Sequence, residues 1–452
     1  MTGSKTGSYL LATFEGGGSV APFVTIARKL IAAGHTVRIM SDAANRAEVE
    51  SVGAEFVPWT AAPSRIARGR EHEFVRDWEV ASAFEGFCMM LDLQLVGRAA
   101  DYAADVIAEL ERKPADMVVA NDMLLGVQLA CEAVGQPFVI LACNVMPYPV
   151  VPGIPPMGPG LPPAMTDEDH ALHAEIGAAT MAVFDSRLDT YNAARAQYGL
   201  EPLEHLADQI FAADRFLLAT CKAFDFVPAD VPDFFVYTGP QLDDNAWSKP
   251  WSNPFAEEDC RPLVIVGFST TFQNHAGILQ RVIDALAELP VRAVVTLGGA
   301  IRPDEIKAAA NTAVVESAPH NELMREAALV VTHGGHGTVM KALVHDCPML
   351  VIPHGRDQVD NAVRVTHRRA GLSLAPDADV ASLSAALLAL LDEPTFAANA
   401  AVLGRRIREE AAASRIEALL EEVRAENYSR PAASKRLSGS LKPTNSGIPP
   451  AC

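Results

Sequence analysis

Along residues 1–240, short apolar runs alternate with longer stretches of helical periodicity, and polar or glycine-rich turns separate them. Tyr9 to Phe14 reads as a buried strand, Glu15 to Ser19 as a turn, and Val20 to Ala33 as a helix closed by Gly34. Thr36 to Met40, Met117 to Ala120, Phe138 to Ala142, Arg215 to Thr220 and Phe234 to Thr238 continue the strand series. Helices are expected over 77–111, 124–134 and 167–198. The same rhythm returns with strands at Leu263 to Phe268, Ala293 to Leu297, Ala313 to Val315, Ala328 to Val331 and Met349 to Ile352. Helices are predicted over Gly277 to Leu289, from Thr338 onward, and over Val380 to Leu391, Pro394 to Ala412 and Ser414 to Asn427. Strands separated by helices need crossover connections, so the predicted fold class is α/β with two doubly wound, Rossmann-like domains.

The rhythm fails in three places. Residues 144–163 hold eight prolines, which stops both helix and sheet and predicts a stiff loop beside a pocket. The polar stretch 241–261 reads as an interdomain linker, and 429–452 is rich in Ser, Pro, Lys and Gly, the composition of a disordered tail. The expected domains are therefore 1–240 and 262–428, with the last helix able to cross back to the first domain.

Composition narrows the function classes. With 37 basic against 56 acidic residues the net charge is −19, which disfavours nucleic acid and anionic membrane surfaces. No apolar run reaches the roughly 18 residues of a membrane span, so no stable membrane insertion is expected. Seven cysteines without CxxC or His-Cys spacing predict reduced thiols, a cytoplasmic location and no metal site. A monomer or homodimer is expected.

The stretch from Ala318 to Val365 carries the chemistry. A strand ending at Thr332, a turn His333-Gly-Gly335-His-Gly337, and a helix from Thr338 form a βαβ opening. The glycines let the backbone approach a ligand closely, and the helix start offers free N–H groups, an arrangement suited to a diphosphate. His333 and Thr338 flank the turn as donors, and Lys341 adds positive charge. Ser269 and Thr270, beyond an adjacent strand, point toward the same cleft. No acidic cluster accompanies the turn, so helix dipole and side chains must neutralise the diphosphate without a metal. His354-Gly-Arg-Asp357-Gln358 follows the next strand, and a carboxylate beside an amide suits the hydroxyls of a sugar.

These residues resemble the donor-binding signature of the nucleotide-sugar-dependent, inverting glycosyltransferases of GT-B fold, the group of plant UDP-glucosyltransferases and bacterial antibiotic glycosyltransferases. The resemblance implies two lobes facing across a cleft, the acceptor in the first and the nucleotide sugar in the second. It assigns His333, Gly335, Gly337 and Thr338 to the diphosphate, Asp357 and Gln358 to the transferred sugar, and Pro319 and His320 to the nucleoside. Lys341 stands where plant members have a Glu that holds the ribose hydroxyls, which leaves a UDP- or a dTDP-linked donor open.

In this family the first turn faces the acceptor and commonly carries a catalytic His. Ser19 occupies that position here, so Asp122, at the carboxyl end of its strand, is the expected base; the alternative is a plain helix cap. Glu15, Phe87, Met146 and Tyr148 are expected to line an acceptor pocket. His35 follows a helix on the opposite sheet edge and reads as structural. The expected reaction moves a hexose to a small hydrophobic acceptor of polyketide, phenolic or sterol-like type. C-glycosylation of an aromatic acceptor is one alternative, and an inactive auxiliary binding protein, motivated by Ser19, is another.

Overall fold

The computed structural model describes residues 6–244, 248–268 and 271–429. The first lobe contains β1 (Ser8–Ala12), β2 (Thr36–Ser41), β3 (Glu55–Pro58), β4 (Met117–Asn121), β5 (Phe138–Ala142), β6 (Arg215–Leu218) and β7 (Phe235–Tyr237). Its helices are α1 (Val20–Ala32), α2 (Arg46–Ser51), α3 (Ala83–Met90), α4 (Ala99–Arg112), α5 (Leu125–Val134), α6 (Asp167–Asp185) and α7 (Leu188–Gln197). The second lobe contains β8 (Leu263–Gly267), β9 (Arg292–Thr296), β10 (Thr312–Val315), β11 (Ala327–Thr332), β12 (Met349–Val351) and β13 (Gly371–Ser373). Around it lie α8 (Ala276–Ala287), α9 (His320–Met324), α10 (His336–Val344), α11 (Gln358–His367), α12 (Val380–Asp392), α13 (Pro394–Ala412) and α14 (Ile416–Ser429).

All strand pairs are parallel, in the orders β3-β2-β1-β4-β5-β6-β7 and β10-β9-β8-β11-β12-β13. Parallel sheets must bury both faces, and β4, β5 and β8 are buried at every position. Each strand order reverses once, at β1/β4 and at β8/β11. Ala12 pairs with Ala120 and Gly267 with Thr332, so at each reversal two loops leave the sheet side by side and open a crevice between them.

The segment 77–82, expected as helix, is irregular, and α3 passes into a π turn at Leu91–Leu95 before α4. Short β3, β13 and α11 lie outside the strong periodic signals. The expected tail falls almost wholly outside the described residues. Among the described residues no single helix is long and apolar enough to cross a membrane.

A buried ion pair joins the lobes. Arg364 of α11 donates through Nε and Nη2 to Asp225 Oδ1 at 2.9 and 2.7 Å, while Tyr237 donates to Asp225 Oδ2 at 2.8 Å. The proline-rich loop docks on the same helix, its Gly158 and Gly160 N–H groups donating to Asp360 at 2.8 and 3.1 Å. From the chain's end, α14 returns to the first lobe: Ile416, Leu420 and Val423 are buried with Tyr9, Phe23 and Leu30, and the Tyr9 hydroxyl bonds Glu421. Leu420→Ala should therefore cost about 2–4 kcal/mol of folding free energy, read from urea unfolding monitored in the first lobe, although residue 420 lies beyond the second sheet in sequence.

Candidate active site

The first crevice carries Ser19 and Asp122. Asp122 leaves β4 with its N–H on the Leu141 carbonyl, and its own carbonyl accepts from Gln128 Nε2 at 3.0 Å and the Tyr148 hydroxyl at 2.9 Å. Its backbone is thus fixed from three sides. The helix that follows starts at Leu125 with Leu124 at the cap position and no side-chain cap bond, so Asp122 is not the cap of α5. Burial pushes the Asp122 carboxyl up to about 7, against N–H groups of residues 122 and 123, and the charge of Asp357 in the other lobe raises it further. Ser19 begins α1 with no side-chain cap bond. Its carbonyl takes a weak contact from Cys143 Sγ at 3.8 Å, and that thiol is raised by burial and by Asp122. One thiol therefore borders both residues.

Three of the expected acceptor contacts are placed differently. The Glu15 carboxylate is buried and committed to Arg68 Nε at 3.1 Å, with Arg68 also holding Glu48 at 2.8 Å. A carboxylate so paired is a strut of the β1 and β2 loops, not a free acceptor contact. Met146 and Tyr148 are buried in the first-lobe core, because apolar residues of a stiff loop gain more from packing than from exposure. Phe87 is half-buried and meets Phe184 edge to face at 5.6 Å. His35 accepts from the Gly7 N–H at 3.0 Å beside Tyr9, a structural role.

The second crevice is built on the 333–337 turn. Gly334 has φ of 96°, and a Cβ there would lie 2.8 Å from Val351 Cγ1. At Gly335 a Cβ would come within 2.6 Å of His333 Nε2, whereas Gly337 faces open space. Helix α10 begins at His336, two residues before the pattern predicts, since the turn geometry overrides the poor helix propensity of Gly337. Thr338 is half-buried in its first turn. His333 stacks on Phe268 at 6.2 Å and lies 5.9 Å from the ring of His275, which meets His354 at 4.2 Å. Burial, with help from His354 and Arg356, lowers His333 to about 3, so it presents a neutral imidazole at pH 7. Burial likewise lowers His354 to about 4. Ser269 and Thr270 lie outside the described residues.

Asp357 stands at the start of α11 and meets the 333–337 turn directly. Its carboxylate accepts from the His336 N–H, the first of α10, and from Asn361 Nδ2 at 2.8 Å; burial raises its pKa. Asn361 also donates to the Gly334 carbonyl at 3.0 Å. It thereby locks the 354–357 turn to the 333–337 turn. Asn361 is not among the residues expected from the sequence, although its position one helical turn beyond Asp357 carries the signal. Gln358 is buried, accepting from the His354 N–H at 2.7 Å and donating to Gln273 at 3.0 Å. Its amide braces the sugar turn in this state of the site.

Pro319 precedes α9, and His320 Nε2 lies 3.2 Å from Thr296 Oγ1 with its ring against Gly267. Burial, then the charge of Lys341, lowers His320 to about 4. Lys341 is not a free cation. Its ammonium is 2.7 Å from Asp244 of the linker, which also accepts from the Asn321 N–H.

Two crevices at strand-order reversals, one with a buried carboxylate and one with a glycine turn beside a helix start, suit group transfer between two bound molecules. Residues 280–424 match the family model described as Erythromycin biosynthesis protein CIII-like, C-terminal domain. The chain is 29% identical to 4'-demethylrebeccamycin synthase of Lentzea aerocolonigenes over 412 residues, 89% of this chain and 95% of that protein. Two solved structures share the fold at 20% identity: the glycotransferase of kitacinnamycin (TM-score 0.73, 93% of this chain and 99% of that one) and the calicheamicin glycosyltransferase CalG4 (TM-score 0.71, 92% and 98%). The chain thus shares the GT-B fold with these glycosyltransferases, and its residues 280–424 are similar to the C-terminal domain of that family model. It is a hexosyltransferase, and the inactive auxiliary reading gives way. Similar proteins act in natural-product synthesis.

Within this glycosyltransferase Asp122 is held in a place that costs stability. Its folded pKa of about 7 lies above its ordinary value, so the penalty is absent below about pH 4, grows as pH rises from there toward 7, and is fully present above it. Asp122→Asn should therefore raise the unfolding midpoint relative to the parent by about 2–4 °C at pH 8 and leave it unchanged at pH 4. It should also lower turnover by about 10²-fold or more. Thermal melts at the two pH values, beside an activity assay, check both.

Proposed function

We propose that the protein transfers a hexose from a UDP- or dTDP-linked donor to a small hydrophobic acceptor of polyketide, phenolic or sterol-like type, with inversion at the anomeric carbon, in the cytoplasm. The observation that supports this reading is that one molecule holds two crevices at strand-order reversals, the first bearing the buried Asp122 and the second a glycine turn before α10 that Asn361 ties to Asp357. The buried Asp225–Arg364 pair joins the lobes that carry them, as transfer between an acceptor in one and a sugar donor in the other requires.

In the proposed step the acceptor hydroxyl gives its proton to Asp122 while its oxygen forms a bond to the anomeric carbon. The bond from that carbon to the diphosphate oxygen breaks, and the diphosphate leaves with the electron pair. A carboxylate whose pKa sits near 7 is matched to this task, since it is substantially ionised at neutral pH yet more basic than a solvated Asp. Neutral His333 donates its N–H to the leaving group beside the α10 N-terminus and Thr338, and negative charge growing there raises its proton affinity. His333→Ala should weaken UDP or dTDP binding and lower turnover about 10²- to 10³-fold, whereas Asp357→Ala should spare binding of the free nucleoside diphosphate. Calorimetry with UDP and dTDP, beside product detection by mass, tests this; equal loss of nucleotide affinity in both variants would reject the division into phosphate and sugar sites.

The transfer is proposed to need no metal. Among the described residues no group of three His, Cys, Asp or Glu is arranged to hold one, and the helix start with its flanking donors meets the diphosphate instead. Activity in excess EDTA should equal that without it, and strict dependence on Mg²⁺ or Mn²⁺ would overturn this account.

A further inference from the structure

Arg356 lies inside the sugar turn, between Gly355 and Asp357, with a φ of 55°. A non-glycine residue holds this left-handed conformation at a cost of about 1 kcal/mol, so its surroundings must impose it. The guanidinium shows how. Nε and Nη2 are 2.9 and 2.8 Å from Asp77 Oδ2 of the first lobe, and Nη1 donates to Thr271 Oγ1 in the loop after β8 at 2.8 Å. One side chain thus ties together a first-lobe segment, the loop beside the phosphate turn, and the sugar turn itself.

The same segment makes further contacts across the cleft. Trp78 meets Phe272 edge to face at 4.9 Å, and the Arg70 guanidinium lies 4.8 Å from that ring. Ala83, at the start of α3, would be 3.5 Å from a Cβ on Gly355. Yet Asp77 Oδ1 and Trp78 Nε1 are buried with no partner. At the Asp225–Arg364 joint, by contrast, both carboxylate oxygens are engaged. An unsatisfied buried polar atom costs about 1–3 kcal/mol, so the 70–82 segment is held by a contact that balances gain against cost, as befits a surface that docks and releases.

We propose that Asp77 and Arg356 are positioning residues for the donor sugar: their ion pair docks the first-lobe segment onto the sugar turn and sets Asp357 and Gln358 in the geometry that receives the sugar. The inference rests on the donor site proposed above. Because Arg356 directly precedes Asp357, releasing the guanidinium frees the strained dihedral that aims the next side chain. Sugar recognition and docking of the 70–82 segment on the sugar turn are then one event, which excludes water from the anomeric carbon only when the sugar is in place.

The test is a double-mutant cycle on Asp77→Asn and Arg356→Ala, with calorimetric affinities for UDP, dTDP, UDP-glucose and dTDP-glucose, and with donor KM and kcat. Each single variant is expected to weaken binding of the accepted nucleotide sugar about tenfold and to raise its KM. The double variant should be no weaker than the worse single, and the free nucleoside diphosphate should change by less than about twofold. The charge swap, Asp77→Arg with Arg356→Asp, should recover part of the lost affinity, which guards against reading a folding defect as a lost contact. Additive losses, equal losses for diphosphate and nucleotide sugar, or no loss at all overturn the proposal. If the parent protein binds neither diphosphate nor nucleotide sugar, the donor-site reading itself fails and this one falls with it; parent binding with additive variants sinks the clasp alone.

Discussion

The ion pair between Asp225 and Arg364 is the contact on which the shared site depends, because each half of that site belongs to a different sheet. Both partners are essentially buried. Such a pair adds little net stability, since desolvation cancels most of the attraction, but any arrangement that separates the partners leaves a charge stranded in the interior. It therefore selects one relation between the lobes. Arg368 strengthens the selection by donating to the Ala223 and Asp225 carbonyls at 3.0 and 2.8 Å. Helix α11 thus has its second half fixed to the first lobe and its first residues against the 333–337 turn.

Burial then sets the electrostatics of the cleft. Desolvation pushes carboxylates up and imidazoles down, so Asp122, Asp357 and Asp360 move toward neutrality from one side and His333, His354 and His320 from the other. The free site is consequently poor in fixed charge near the phosphate turn, where Lys341 is also paired. What remains for an incoming diphosphate is backbone N–H groups and neutral donors, whose strength grows in the low-dielectric space that the ligand itself closes.

Most of this architecture was legible in the sequence, for reasons that differ between the lobes. Strands such as β4 and β8 are continuous apolar runs between turn signals, and buried parallel strands read no other way. Segments β3, β13 and α11 escaped because the first two are short and α11 buries polar Gln358, Asp360, Asn361 and Arg364 beside only two apolar residues, Ala362 and Val365. The juxtaposition of the 333–337 and 354–357 turns could be read because they leave the adjacent strands β11 and β12 of one βαβ unit, where spacing along the chain fixes spacing in space. On the acceptor side the deciding partners are distant: Arg68 claims Glu15 from 53 positions away. Asp244 claims Lys341 from 97 positions away. No local pattern announces either pair, so residues that looked available in the sequence are already engaged.

With Glu15 engaged as a strut and Met146 and Tyr148 in the core, the apolar surface that the first lobe exposes near the cleft lies elsewhere. Helix α3 begins against the sugar turn at Ala83 and Gly355, and it carries Phe84 at 59% exposure, half-buried Phe87 and Met89, with Leu93 at 45% in the π turn that follows. Large apolar side chains left exposed beside a polar cleft are costly unless something covers them. The π turn itself demands Gly97, since a Cβ there would overlap the Asp92 carbonyl. A widened turn of this kind is retained where it re-aims side chains. The exposed apolar side chains of α3 and the π turn thus begin where Ala83 meets Gly355, so the packing that docks the 70–82 segment on the second lobe also fixes where this surface starts.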